Sequence, residues 1–129
     1  MARVAVSGNS PWEPLVGYSR AVRVGPHVWV AGTTATDDSG SLIGADDAGA
    51  QARQALANIR RALEAAGAGI DQVVRTRMYV TNIDDWPAVA AAHAECFAAV
   101  RPAATLVEVS RLVSPEMLVE IEAEAYVEG

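Results

Sequence analysis

Charged and polar residues alternate with other residues in two segments of the chain, RTRMY (75–79) and VEIEAEA (119–125). In β-strands, this alternation places the arginines and the tyrosine, or the glutamates, on one face of a sheet. Carboxylates and guanidinium groups held together away from water shift each other's pKa values and can bind and activate a small molecule. On a face open to water, the same residues form cross-strand charge pairs worth roughly 0.2–1 kcal/mol each. The pattern leaves two interpretations open, a solvated face or a polar cleft between packed subunits.

The periodicity of the rest of the chain predicts the elements that position these segments. Apolar residues recur at three- and four-residue spacing in 47–67, which predicts a helix, and a second helix is predicted over 84–100. Apolar runs on both sides of Gly25-Pro26 predict a hairpin of two strands. Further strands are predicted at 3–6, 73–81, 104–109 and 118–127. This order predicts an α+β fold, a two-layer sandwich in which two helices pack on a mixed β-sheet.

The apolar face of each predicted strand should pack against the helices. The alternation in 73–81 places Val74, Thr76 and Met78 on that core side. The alternation in 104–109 predicts that Ala104, Leu106 and Glu108 lie on the side of the sheet opposite the core. The side away from the helices, here called the outer face, is thus predicted to carry Arg75, Arg77, Tyr79, Glu108, Glu120, Glu122 and Glu124.

Composition and charge narrow the class of protein. The 129 residues fit a single domain over 1–129, and a hydrophobic content of 51% is enough for a packed core. The net charge of −6 argues against a nucleic-acid partner, because phosphate binding needs a basic surface. The first residues lack the apolar stretch of a signal peptide, and no run approaches the roughly 18 apolar residues of a membrane span. We therefore expect a cytoplasmic protein with no membrane partner.

The common catalytic and metal-binding motifs are absent, and the residues that often form such sites occur singly. The sequence has no glycine-rich phosphate-binding loop and no GxSxG nucleophile. His27 and His93 are far apart and Cys96 is the only cysteine, so no metal site and no disulfide are expected. On the apolar stripe of the second helix, a packed histidine is commoner than a ligand, which favours packing for His93. Cys96 is likewise interpreted as a small core residue rather than a nucleophile.

Five segments together resemble the RidA family, also called YjgF or L-PSP. They are GYSRAVRVG (17–25), VWVAGTTATD (28–37), the run from Ala50 to Trp86, RPAATLVEV (101–109) and VEIEAEA (119–125). Each segment is short, but their order and spacing over nearly the whole chain are specific. The resemblance implies a fold like that of bacterial chorismate mutase, a homotrimer, and small-molecule sites in clefts between subunits. It also implies hydrolysis of reactive enamines or imines to 2-keto acids and ammonia, with no cofactor.

The resemblance assigns roles to individual residues. The family glutamate that positions the attacking water matches Glu120, and the tyrosine of a GPYSQAV-like segment matches Tyr18. The backbone groups that the family offers at the end of a strand match Ala31, Gly32 and Thr33. We therefore expect substrate to bind around Glu120.

One family residue is missing from this chain. The family has an arginine in a P-A-R segment, and its planar fork clamps the substrate carboxylate in a bidentate pair. Ala104 occupies that position here, and Arg101 lies three residues away and does not replace it. Arg77 is the best replacement cation and Glu108 a further substrate contact. For Arg77 and Glu108, the alternative is a structural salt bridge with the acidic strand.

Two kinds of function fit these observations. The first is a hydrolase or deaminase of enamines, imines or related reactive metabolites, with Glu120 as general base and with Trp12 and Glu13 closing the cleft. Because the clamp at Ala104 is missing, 2-imino acids are not the expected substrates. The second is a non-catalytic trimer that binds a metabolite or a protein. A pathway-specific cyclase or tautomerase that uses the same cleft is a third possibility.

Overall fold

A computed structural model describes residues 2–128 of the chain. Six strands and two α-helices form the order predicted from the sequence, with boundaries that differ by at most three residues. The strands are β1 (Arg3–Val6), β2 (Ala21–Val24), β3 (His27–Thr33), β4 (Val73–Val80), β5 (Ala103–Glu108) and β6 (Val119–Tyr126). The helices are α1 (Ala48–Ala65) and α2 (Trp86–Phe97).

The strands form one sheet in the order β1–β2–β3–β6–β4–β5. All neighbouring strands are antiparallel except β4 and β5, which are parallel. A parallel pair needs a crossover connection, and α2 provides it. Both helices contribute to one core on the same side of the sheet, so the outer face has no covering layer within the described residues. The predicted two-layer α+β sandwich with a mixed sheet is confirmed.

Helix α1 forms where the apolar stripe predicts it. Ile59 and Leu63 on this stripe are fully buried. Asp47 caps the first turn by accepting a hydrogen bond from the N–H of Ala50 at 3.0 Å, and Gly67 follows the helix with a left-handed φ of 80°. No helix within residues 2–128 has both the length and the apolar character needed to cross a membrane.

Gln51 of α1 holds the segment that leads into β6. Its side chain is completely buried and donates to the carbonyl oxygens of Gly44 and Glu116, both at 3.1 Å. Its amide oxygen accepts from the N–H of Leu118 at 2.9 Å. Since every polar atom of the amide has a partner, the buried group is satisfied and the start of β6 is fixed two residues before Glu120.

Strand β5 lies at an edge of the sheet, and its side chains have the opposite phase from the prediction. Ala104 pairs with Thr76, and Leu106 pairs with Met78. Thr76 and Met78 are buried on the helix side, and Leu106 packs against the core there. The prediction that Ala104, Leu106 and Glu108 lie on the outer face is therefore wrong. Because most of β5 is exposed on both faces, alternation does not distinguish its two phases.

The start of β4 also departs from regular alternation. The register between β4 and β6 shifts between Val73 and Arg75, which marks a β-bulge. Val73 is buried, whereas Val74, predicted to be in the core, is 52% exposed. A bulge adds one residue to a strand, so the side chains before it change faces relative to those after it. From Arg75 onwards the predicted faces agree with the burial of the strand.

Candidate active site

A β-bulge in β3 makes room for the carboxylate of Glu120. The register of β3 with β6 shifts between Val30 and Thr33, where Ala31 and Gly32 oppose a single residue of β6. A Cβ atom at Gly32 would overlap Oε2 of Glu120. Glycine is therefore the residue that lets this carboxylate lie directly against the backbone of the neighbouring strand.

The surroundings of Glu120 favour its protonated form. The side chain is half-buried, and this burial raises the pKa of the Glu120 carboxyl above its ordinary value. The negative charge of Glu122 raises the pKa further, while the positive charge of Arg20 opposes the increase. A carboxylate with a raised pKa is a stronger base, and its pKa lies closer to neutral pH, where a general base is most effective.

Arg20, which directly precedes β2, lies beside this carboxylate. Its Nη2 donates to the carbonyl oxygen of Gly32 at 2.5 Å, and its Cζ lies 5.7 Å from the centre of the Tyr18 ring. The Tyr18 hydroxyl in turn lies 3.5 Å from the hydroxyl of Ser10. The structure thus brings together three of the predicted residues, Tyr18, Gly32 and Glu120, with Arg20 between them.

The loop before β2 forms an open cleft of about 420 Å³ next to Tyr18. Glu13 lines this cleft and is only 6% exposed. Trp12 is 38% exposed and does not contribute to the lining. The lining residues are Ser7, Gly8, Ser10, Glu13, Pro14, Gly17, Tyr18 and Ser19. Glu13 therefore lies in the wall of this cleft and Trp12 lies outside it. Their predicted role in closing a cleft between subunits stays a prediction.

Other polar residues of the outer face pair with one another. The Tyr79 hydroxyl donates to Oε1 of Glu122 at 2.7 Å, and this bond is the main reason that the pKa of Tyr79 is raised. Nη1 of Arg77 lies 3.8 Å from Oε2 of Glu124. Arg77 thus forms a salt bridge with the acidic strand β6, which is the structural role that the sequence left open as an alternative to substrate binding. Its role as a replacement cation beside Glu120 stays a prediction.

Three further residues predicted to bind substrate have side chains that do not join Glu120. The side chain of Thr33 is buried and donates to a backbone carbonyl at 2.7 Å, which leaves only its backbone for the predicted role. Ala104 lies on β5, with β4 between it and Glu120 on β6. Glu108 accepts a hydrogen bond from the N–H of Ile83 at 2.9 Å, in the short helical turn before α2. One chain alone therefore does not bring Ala104 or Glu108 to Glu120.

His93 and Cys96 of α2 are packing residues. Nε2 of His93 lies 2.8 Å from the hydroxyl of buried Thr76, its ring packs on Phe97, and burial lowers its pKa. Burial also raises the pKa of the Cys96 thiol, which disfavours a reactive thiolate. Among residues 2–128, no three His, Cys, Asp or Glu side chains are grouped to hold a metal ion.

Comparison with known proteins identifies the family. The family model described as Endoribonuclease L-PSP matches residues 4–127. The chain belongs to the L-PSP family, whose members are also called YjgF or Rid proteins. A solved Mycobacterium tuberculosis protein of the YjgF/YER057c/UK114 family is 51% identical, with a TM-score of 0.89 over 98% of this chain and 100% of that one.

Two sequence relatives carry names from the same family. A RutC family protein of Pyrococcus horikoshii is 37% identical and aligns over 99% of this chain and 100% of its own length. A protein of Acinetobacter baylyi named 3-aminoacrylate deaminase RutC is 33% identical over 88% of this chain and 90% of its own length. The family resemblance inferred from the sequence is therefore confirmed, and this L-PSP family member has relatives of similar length.

Arg20 was missed when the site was predicted from the sequence. The sequence does contain a feature that points to Arg20, because this arginine stands in GYSRAV where the family segment GPYSQAV has glutamine. A charged residue in place of a neutral one beside Tyr18 indicates altered electrostatics in the site. Its proximity to Gly32 and Glu120 depends on the pairing of β2, β3 and β6, which the local sequence does not specify.

Proposed function

We propose that this L-PSP family protein hydrolyses a small enamine, imine or related reactive metabolite, and that 2-imino acids are not its main substrates. The observation that carries this proposal is the half-buried carboxylate of Glu120, which lies against Gly32 with the positive charge of Arg20 nearby. The deaminase name of the Acinetobacter relative supports an enamine substrate.

The proposed reaction needs one base and one water molecule. Glu120 takes a proton from the water as its oxygen adds to the carbon of the C=N bond. The carbinolamine that results is protonated on nitrogen, its C–N bond breaks, and ammonia leaves as the carbonyl forms. One water is consumed for each ammonia released. An enamine enters the same route after it tautomerises to the imine.

We also propose that a homotrimer completes the site through the outer face. Trp29 and Tyr126 lie on this face and are 43% and 44% exposed, and Val107 is 41% exposed. Large apolar side chains exposed together are typical of interaction surfaces. In the trimer implied by the resemblance, the edge of β5 with Ala104 meets the Glu120 region of a neighbouring subunit. A mass measurement in solution that found only monomer would exclude this arrangement.

The test of the reaction is ammonia release from a panel of freshly generated enamines and imines, with and without a carboxylate group. The wild-type protein is expected to accelerate release from at least one of them, and 2-aminoacrylate is expected to be among the slow ones. Glu120→Gln should abolish the acceleration and leave the assembly intact. Glu64→Gln is the matched control, because it removes the same charge at an exposed site of α1 away from the outer face, and it should stay active. Full activity of Glu120→Gln would rule out the proposed base.

Ala104 favours a second candidate function. An exposed alanine stands where the family has its carboxylate clamp, so a non-catalytic trimer that binds a metabolite is the alternative. This candidate predicts ligand binding in the cleft and no acceleration for any member of the panel. The wild-type result in the ammonia assay therefore separates the two candidates.

A further inference from the structure

Glu13 is a buried carboxylate without a partner for one of its oxygens. Carboxylates are rarely buried unless they are paired, yet Glu13 is only 6% exposed. Its Oε1 accepts from the N–H of Gly8 at 2.9 Å, while Oε2 is buried with no hydrogen-bond partner. None of the ion pairs formed by residues 2–128 includes Glu13. Such an oxygen raises the free energy of the folded state, and a bound donor or cation would lower it again.

The neighbouring cation, Arg20, forms no ion pair with Glu13. Both side chains lie against Gly8, where a Cβ atom would be 2.8 Å from Oε2 of Glu13 and 3.3 Å from Cδ of Arg20. The guanidinium group instead donates to Gly32 and acts electrostatically on Glu120. Oε2 of Glu13 thus lacks a partner within the described chain, and a donor group that enters the cleft can supply one.

The rest of the cleft wall suits a nitrogen with several N–H donors. Four residues that carry hydroxyl groups able to accept hydrogen bonds line the same cleft as Glu13, namely Ser7, Ser10, Tyr18 and Ser19. A carboxylate with hydroxyl oxygens beside it matches an ammonium group, which has three donors and no acceptor. Hydrogen bonds between charged partners of this kind are stronger than those between neutral groups.

We propose that Glu13 binds a protonated amine or iminium nitrogen of the ligand, so that the protein selects its substrate by a cationic nitrogen rather than by a carboxylate. The absence of an arginine at Ala104 agrees with this choice, because the chain lacks the family group that recognises a carboxylate. The inference rests on the proposed function in one respect, since it takes the cleft beside Tyr18 as part of the same site.

The experiment is an NMR titration of the full-length protein with two probes of similar size and opposite charge, n-propylammonium and propionate. Propylammonium should bind, with the largest amide shift changes in residues 7–19, and propionate should leave those amides unchanged. Glu13→Gln should weaken the binding of propylammonium about tenfold or more, because the charged partner is lost. Glu64→Gln makes the same change of net charge on the exposed surface of α1 and should bind like the wild type.

A second variant keeps the test decisive if Glu13→Gln folds poorly. Gly8→Ala retains the charge but puts a methyl group 2.8 Å from Oε2 of Glu13, and it should also weaken propylammonium binding. Equal binding of the two probes, no binding of propylammonium, or unchanged affinity in both variants would overturn the proposal.

These measurements involve no turnover, so they test the binding role of Glu13 separately from the proposed hydrolysis. Propylammonium binding that depends on Glu13, without hydrolysis of any enamine or imine, would refute the proposed function and leave this inference standing. Hydrolysis that depends on Glu120, without propylammonium binding, would refute this inference and leave the proposed function standing.

Discussion

The bulge of β3 and the edge strand β5 show how differently two parts of one proposed site can be built. At the bulge, Gly32 is in contact with Glu120 and accepts a hydrogen bond from Arg20. Along β5, Ala104 offers only an exposed methyl group. The fold of the family is thus retained at both places, while the charged group for recognising a carboxylate is lost at one. For the proposed function, the difference implies that the base and the recognition of substrate can change separately.

The largest expected effect comes from removing the space beside the base. In Gly32→Ala, the added methyl group overlaps the Glu120 carboxylate and forces it to move. Displacement of a reacting group by about 1 Å can lower the rate about 10²-fold, so kcat/KM for the best substrate of the ammonia assay should fall by at least that factor. A folded Gly32→Ala protein with wild-type kcat/KM would show that the bulge does not position the base.

Restoring the missing clamp should have a smaller effect, and in the opposite direction. Ala104→Arg places a guanidinium group at the edge of β5, where it can pair with the carboxylate of 2-aminoacrylate in a shared cleft. We expect ammonia release from 2-aminoacrylate to increase about tenfold, since one charge-assisted pair is worth roughly 1.5–3 kcal/mol. The matched control is Ala57→Arg, which adds the same charge at an exposed site of α1. An equal increase in both variants would mean that the added charge acts without a defined position.

Glu108 provides a test of the finding that its side chain does not lie on the outer face of β5. In Glu108→Ala, the N–H of Ile83 loses its acceptor, and the helical turn before α2 loses one hydrogen bond. The free energy of unfolding should fall by about 1 kcal/mol, as measured by denaturant titration. Glu64→Ala, a change at an exposed site of α1, should have no comparable effect. If the Glu108 variant kept its stability but lost ammonia release, Glu108 would belong to the substrate site after all.

The smallest effect concerns the charge of Arg20. In Arg20→Gln, the positive charge that opposes the raised pKa of Glu120 is removed, so this pKa should rise further. Glu120 must be deprotonated to act as a base, and the acidic limb of the kcat/KM profile should therefore move to higher pH. Arg53→Gln, on the exposed side of α1, is the control and should leave the profile in place. An unchanged profile in Arg20→Gln would remove Arg20 from the electrostatics of the site.

The same pKa shift makes folding stability depend on pH. Glu120 has an ordinary pKa of 4.5 and a raised pKa in the folded protein. Its contribution therefore favours folding below pH 4.5 and is lost as the pH increases through the folded pKa, because the folded state then holds a half-buried charge. In Glu120→Gln this loss should be absent from a series of thermal unfolding curves measured at increasing pH. A wild-type pH dependence in that variant would show that another group causes it.

The elements of the fold could be predicted from the sequence wherever one face is buried. Alternation in β6 places Ile121 and Ala123 in the core and Glu120 and Glu122 opposite them, as observed. The phase of β5 could not be predicted, because an exposed edge strand has apolar residues on both faces. The bulges were also missed, since an extra residue in a strand carries no distinctive sequence beyond a glycine such as Gly32. Within the site, the resemblance supplied Glu120 and Tyr18, but the burial of Glu13 depends on packing between distant segments.

The position of β5 also affects how its backbone exchanges with solvent. β5 is bonded to β4 along one side, and its other side has no strand neighbour among the described residues. Edge strands present free N–H and C=O groups that can pair with another chain. In deuterated water, the outward-pointing amides of 103–108 should therefore exchange quickly in a lone chain and slowly in the proposed trimer, where a neighbouring subunit would cover them. Amide exchange in β5 can thus serve as an internal reporter of whether the proposed cleft between subunits has formed.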